Sequence, residues 1–136
     1  MATAKKFEDL ICWQLGDELK VRVLRILRRP TVAIDVDFCR QIRKSVRGVP
    51  ALISEGFARR QKEFKRYLEL ALGELNETRN HLRDGAQCGH VTIEEYRDLW
   101  HLCYRARRAT LEMHQYLDRC IQEEERRRKK KPPDKT

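Results

Sequence analysis

Arg47-Gly48-Val49-Pro50-Ala51-Leu52-Ile53-Ser54-Glu55-Gly56 interrupts a sequence that otherwise has few Gly or Pro. The residues upstream explain how to read it. Phe38, Ile42, Val46, Val49 and Ile53 recur at spacings of 4, 4, 3 and 4. That apolar line has the period of an α-helix and passes straight through Pro50. The expectation is one helix kinked at Pro50, or else two helices meeting there. A proline inside a helix leaves the carbonyl four residues back, that of Val46, without its donor. Gly48 either lets a neighbouring helix approach or relieves crowding at the bend. Gly56 reads as the left-handed residue that closes the helix.

Helical spacing continues on both sides. A first segment from about Phe7 to Arg28 places Leu10, Ile11, Leu15, Leu19, Val23, Ile26 and Leu27 on one face, and Pro30 ends it. The loop 31–36 then leads to Asp37 or Asp35 as the cap of the second helix. After a basic linker, Phe57–Lys62, residues Phe64, Leu68, Ala71, Leu75, Thr78 and Leu82 alternate spacings of 4 and 3 up to Gly85–Gly89. Thr92 and Glu95 form a capping-box pattern. Behind it Tyr96, Leu99, Cys103, Ala106, Thr110, Met113, Leu117 and Cys120 repeat at 3 and 4. The fold predicted is all-α, an up-down-up-down antiparallel four-helix bundle over residues 1–125. Residues 126–136 read as a basic, disordered tail in which Glu-to-Arg pairs extend the helix by about a turn before Pro132 and Pro133.

The net charge of +9 is unevenly placed. Residues 38–66 hold nine bases against two acids, residues 67–125 seven against twelve, and residues 126–136 seven against one. Such polarity points to nucleic acid or to association between unlike surfaces. Arg40, Arg43, Lys44 and Arg47 read as one phosphate-binding surface with Arg59, Arg60, Lys62, Lys65 and Arg66. Arg126, Arg127, Arg128, Lys129, Lys130 and Lys131 form a second. The same cations also suit a solvated face or a subunit contact. No sequence-reading module is present, so RNA or DNA without strong sequence preference is the expected partner.

Several functions lack their motifs. There is no nucleophile elbow around Ser45 or Ser54, no P-loop, no dinucleotide fingerprint and no H-E-x-x-H. Glu55, read as lying in a buried turn, has no partner base and is expected to bond backbone or arginine. His101 and Cys103 would point about 200° apart on a helix, so they do not join Cys88 and His90 around one ion. No enzyme activity, cofactor or metal is expected. The five cysteines contain no C-x-x-C and read as small buried apolar residues. Trp13 and Trp100 read as core or interface anchors rather than base-stacking platforms. No apolar run is long enough for a membrane span, and MATAKKFEDL has no apolar signal core, so the expected location is the cytoplasm.

The opening stretch also carries a resemblance. QIRKSVRGVPALISEGFAR, Gln41 to Arg59, resembles the pattern Q-[IL]-R-R-A-x-x-S-I-P-x-N-I-x-E-G-x-x-R of the four helix bundle proteins, whose founding members are encoded in intervening sequences of bacterial large-subunit ribosomal RNA genes. Gln41, Ile42, Arg43, Lys44, Pro50, Ile53, Glu55, Gly56 and Arg59 match. FEDLICWQL (Phe7–Leu15) and KEFKRYLELALGELNETRNHL (Lys62–Leu82) are similar to two further family segments. Gly48, Leu52 and Glu74 depart from the usual Ser, Asn and Ser. The resemblance implies a ring-shaped homopentamer. A related branch comprises accessory proteins of diversity-generating retroelements, which bind a reverse transcriptase and its RNA. The function implied is a non-enzymatic RNA- or ribonucleoprotein-binding assembly. The alternative is a protein-interaction scaffold docking such an enzyme with no direct nucleic-acid contact.

Overall fold

A computed structural model describes residues 4–133. A 3-10 turn over Phe7–Asp9 precedes five α-helices: α1 (Ile11–Leu27), α2 (Pro30–Ala33), α3 (Val36–Phe57), α4 (Gln61–Gln87) and α5 (Ile93–Lys130). The described residues contain no strand, and none of their helices is long and apolar enough to cross a membrane. The sequence predicts four helices. The fifth, α2, is a single turn, and Pro30 opens it instead of merely ending α1. Proline suits that first position because its missing N–H has no helical acceptor there anyway.

The opening stretch is settled at Pro50: α3 runs through it without a break. Gly56 corrects the expectation. It lies inside α3, and the one positive φ among the described residues belongs to Gly89, at 83°. What Gly56 supplies is room. A Cβ there would stand 2.6 Å from Tyr67 Cβ and 2.8 Å from Phe64 Cδ1 on α4. Gly48 serves the same seam, where the Glu74 side chain lies across it.

The predicted apolar lines become the core. Phe38, Ile42, Val46, Val49 and Ile53 of α3 are buried with Phe64, Leu68, Ala71, Leu75 and Leu82 of α4. Leu99, Cys103, Ala106, Met113 and Leu117 of α5 join them, as do Leu15, Leu19, Val23, Ile26 and Leu27 of α1. Ile11 is the exception, 53% exposed. The 3-10 turn starts the helix later than the sequence suggested, and Ile11 faces water at its first position. Two seam threonines are buried without loss. Thr78 Oγ1 lies 2.9 Å from both Ser45 Oγ and the Glu74 carbonyl, and Thr110 donates to the Ala106 carbonyl at 2.7 Å.

Each long connection reverses the chain. Lys65 meets Asp118 and Lys62 meets Glu125, so α4 and α5 run antiparallel. One end of the fold is tied by polar contacts. Asp35 caps α3 by accepting from the Phe38 N–H at 3.2 Å, and its other oxygen lies 2.8 Å from His90 Nε2 in the α4–α5 connection. Those two bonds, His90 first, hold the Asp35 carboxyl below the usual range. At the same end Thr92 and Glu95 form the predicted capping box, and Arg29 reaches from the end of α1 to the Glu95 carboxylate. The Arg29 bond, helped by the Thr92 N–H, holds Glu95 down at about 2.

The turn that the Glu-to-Arg pairs are expected to add to the last helix is present. Residues 126–130 continue α5, which is 38 residues long against 27 for α4. At 1.5 Å per residue that is about 57 Å against about 40 Å. Glu124 pairs with Arg128 one turn on, and Arg127, Arg128, Lys129 and Lys130 sit where the helix dipole is negative. Lys131 turns extended because Pro132 follows it. Residues 134–136 of the expected tail, and 1–3 at the start, lie outside the described residues.

Candidate nucleic-acid interface

The fifteen cations singled out by sequence do not form two compact patches. Arg40, Lys44 and Arg47 share the solvent-facing stripe of α3, with Arg43 half-buried beside it. Lys44 borders a shallow cleft with Gln41, Asn76, Glu77 and Asn80, towards α4. Arg47 borders another with Trp13, Asp17, Lys20 and Leu24, towards α1. From Arg40 to the end of α3 at Phe57 the helix covers about 26 Å. The run 38–66 is therefore a strip along the molecule, because helix α3 stretches adjacent sequence over its whole length.

The linker and the tail do meet. The antiparallel pairing of α4 and α5 brings the start of α4 beside residues 121–128 of α5. A cleft there is lined by Arg60, Lys62, Glu63, Glu124, Glu125 and Arg128. Its three bases face three acids, so the cleft itself is balanced. Beyond it the balance is lost. Every residue from Glu123 to Pro133 is exposed.

Ion pairing sorts the candidates further. Arg40 bonds Asp37 at 2.6 Å, Arg59 bonds Glu55 at 3.2 Å and Glu63 at 3.4 Å, and Lys65 bonds Asp118 at 2.5 Å. Lys62 lies 3.7 Å from Glu125, and Arg128 lies 2.9 Å from Glu124. The Lys65–Asp118 bond raises the lysine and lowers the carboxyl, so each holds the other charged. Among the described residues, Arg43, Lys44, Arg47, Arg60, Arg66, Arg126, Arg127, Lys129, Lys130 and Lys131 have no carboxylate within 4.0 Å. Five of those ten lie at 126–131. Exposed, unpartnered Arg and Lys along a helical extension are suited to displacing counterions from a phosphate chain.

Other sequence readings change in detail. Glu55 is exposed, not buried, and bonds Arg59 and the Tyr67 hydroxyl (3.3 Å). Cys12, Cys39 and Cys103 are buried, and burial pushes the Cys12 and Cys103 thiols up to about 12. Cys88 is exposed as the residue capping the end of α4, and Cys120 is half-buried on α5 just beyond Leu117, its last buried residue. Among the described residues no three His, Cys, Asp or Glu side chains are grouped to hold a metal ion. Trp13 is half-buried against Phe7, with ring centroids 5.3 Å apart. Trp100 is 39% exposed and anchors no core. The 3-and-4 spacing of α5 places it one step off the buried line, a signal that could have been read from Leu99 and Cys103.

No curated protein matches this sequence. Residues 8–124 match the model of the 23S rRNA-intervening sequence proteins, and the chain belongs to that family.

Proposed function

We propose that the chain is a non-enzymatic, self-associating helical bundle that binds RNA, or a ribonucleoprotein, through the cationic end of α5. Five cations without a carboxylate partner, Arg126, Arg127, Lys129, Lys130 and Lys131, on an exposed extension carry this reading. Arg60 and Arg66 on the adjoining start of α4 add to it. Contact is to phosphates, so sequence preference is weak. The family resemblance supports assembly as a homopentameric ring and accessory work beside a reverse transcriptase.

The test is a salt titration of single-stranded and duplex RNA and DNA. Log affinity falls linearly with log salt, by roughly 0.7–0.9 for each phosphate neutralised. Changing Arg126, Arg127, Lys129 and Lys130 together to Gln keeps good helix formers and lowers that slope by up to about 2.8 on single strands and about 3.6 on duplexes. Absence of binding to all four at low salt overturns the reading. Light scattering tests the assembly, and a monomer at micromolar concentration overturns the ring.

A second reading, a scaffold whose cations grip an acidic protein surface, is favoured by Lys62 and Lys65, which already take carboxylates of α5. Binding to an acidic protein partner with no oligonucleotide binding selects it.

A further inference from the structure

Trp100 and Tyr104 stand 39% and 48% exposed on the outer face of α5. Their rings lie within 10° of parallel, with centroids 6.0 Å apart. The His101 ring is 20° from that of Tyr104, at 6.5 Å. Three flat faces within one helical turn thus share an orientation. Arg79 of α4 lays its guanidinium over the Trp100 ring, 5.6 Å from the centroid, a cation already stacked where an incoming base would meet it. Trp100 and His101 border an open cleft of about 550 Å³ that also exposes Arg22, Arg97, Arg105 and one acid, Asp98. Arg22 is held by Glu18, whereas Arg97 and Arg105 have no carboxylate within 4.0 Å among the described residues. The fold uses none of these rings in its core.

Parallel aromatic faces select a planar ring, and the arginines select an anion beside it. An unpaired nucleotide has both, while a duplex hides the faces of its bases. We infer that this face of α5 is a stacking platform for unpaired bases of a single-stranded nucleic acid. The inference rests on the nucleic-acid reading above but uses a different surface. Trp100 and Arg126 are 26 positions apart on one helix, about 39 Å.

The sequence contains two tryptophans, so Trp13→Phe in the full chain leaves Trp100 as the sole indole reporter. Single-stranded oligouridine and oligoadenosine, and a duplex of equal length, are titrated while indole emission and the anisotropy of a labelled strand are followed. Single strands quench the emission and the duplex does not. Trp100→Leu with Tyr104→Leu weakens single-strand binding at least fivefold and leaves duplex binding unchanged. Trp100→Phe with Tyr104→Phe keeps both rings and restores most of the affinity, which separates stacking from a folding defect. Single-strand binding with unchanged emission, and equal affinity in the leucine variant, overturns the platform and leaves phosphate binding standing. Silence from every nucleic acid at low salt overturns the underlying reading and the platform with it. Emission that tracks protein concentration and ignores oligonucleotides places a second copy on this face and overturns the platform.

Discussion

Gly48 and Glu74 form a coupled pair whose energetics can be worked from the geometry. A Cβ at position 48 would meet Glu74 Cγ and Cδ at 3.1 Å and Oε2 at 3.2 Å. These separations are a few tenths of an ångström too short, so Gly48→Ala must displace the Glu74 side chain within the α3–α4 seam. Overpacking of this kind costs about 1–3 kcal/mol. Against it stands the helix-propensity gain of replacing a mid-helix glycine, about 0.5–1 kcal/mol. The expected net effect is destabilisation by about 1 kcal/mol. In a Glu74→Ser background the obstruction is gone, and Gly48→Ala should stabilise by about 0.5–1 kcal/mol. The sign therefore flips, giving a coupling energy of about 1.5–2 kcal/mol, well above the usual additivity error of about 0.3–0.5 kcal/mol. Urea unfolding of the four proteins, followed by far-UV circular dichroism at one protein concentration, measures it. Equal effects of Gly48→Ala in both backgrounds would refute the steric argument. The same pair has a pH signature. Glu74 Oε2 is buried without a hydrogen-bond partner, and burial, with Glu77 nearby, raises its carboxyl above the usual range against the pull of Lys44. As pH rises the unfolded chain releases this proton first, so Glu74 withdraws stability between its ordinary and raised pKa. Glu74→Gln removes that decline.

Glu95 should behave oppositely: its carboxyl is held at about 2, so its contribution is full above about 4.5 and is lost as pH falls towards 2. Glu95→Gln keeps the capping box but loses the charge partner of Arg29, costing about 0.5–1 kcal/mol because both groups touch solvent, and it flattens acid unfolding curves. Gly56→Ala drives a methyl to 2.6 Å from Tyr67 Cβ, next to backbone that cannot swing away, and should cost about 3 kcal/mol by urea unfolding. A thiol reagent at pH 8 should label Cys88 at once and Cys120 more slowly, with Cys12, Cys39 and Cys103 labelled only in denaturant; mass spectrometry counts the adducts.

The fold was legible wherever one period ran long enough. The line Phe38 to Ile53 predicted α3 through Pro50, and the line Phe64 to Leu82 predicted the buried face of α4. Period alone could not say what a glycine is for. Gly56 matched a helix stop in sequence, but its role comes from Phe64 and Tyr67, eight and eleven residues along the chain and across a seam. Gly48 and Glu74, two departures from the family pattern that look unrelated in sequence, turn out to touch. The candidate site was legible in composition and not in placement. The run 38–66 counted nine bases, yet α3 spreads four of them along its length and carboxylates from α5 and from neighbouring turns take others. Exposure of Trp100 follows from its register beside Leu99 and Cys103, which removes the core half of the core-or-interface reading.

The apolar seam of α5 ends at Leu117, with Ile121 half-buried, and the helix goes on to Lys130 without it. What holds those last turns is therefore local: Glu124 with Arg128, and cations against the negative pole of the helix. A phosphate chain would compete for the same cations, so binding there and helicity there are linked, while the core from Phe38 to Leu117 has no share in either. The separation explains how a fold so dependent on close glycine contacts can carry so much unbalanced charge. The charge is concentrated where there is no core to disturb, whereas Arg29, at the capped end of the bundle, is matched by the strongly acidic Glu95.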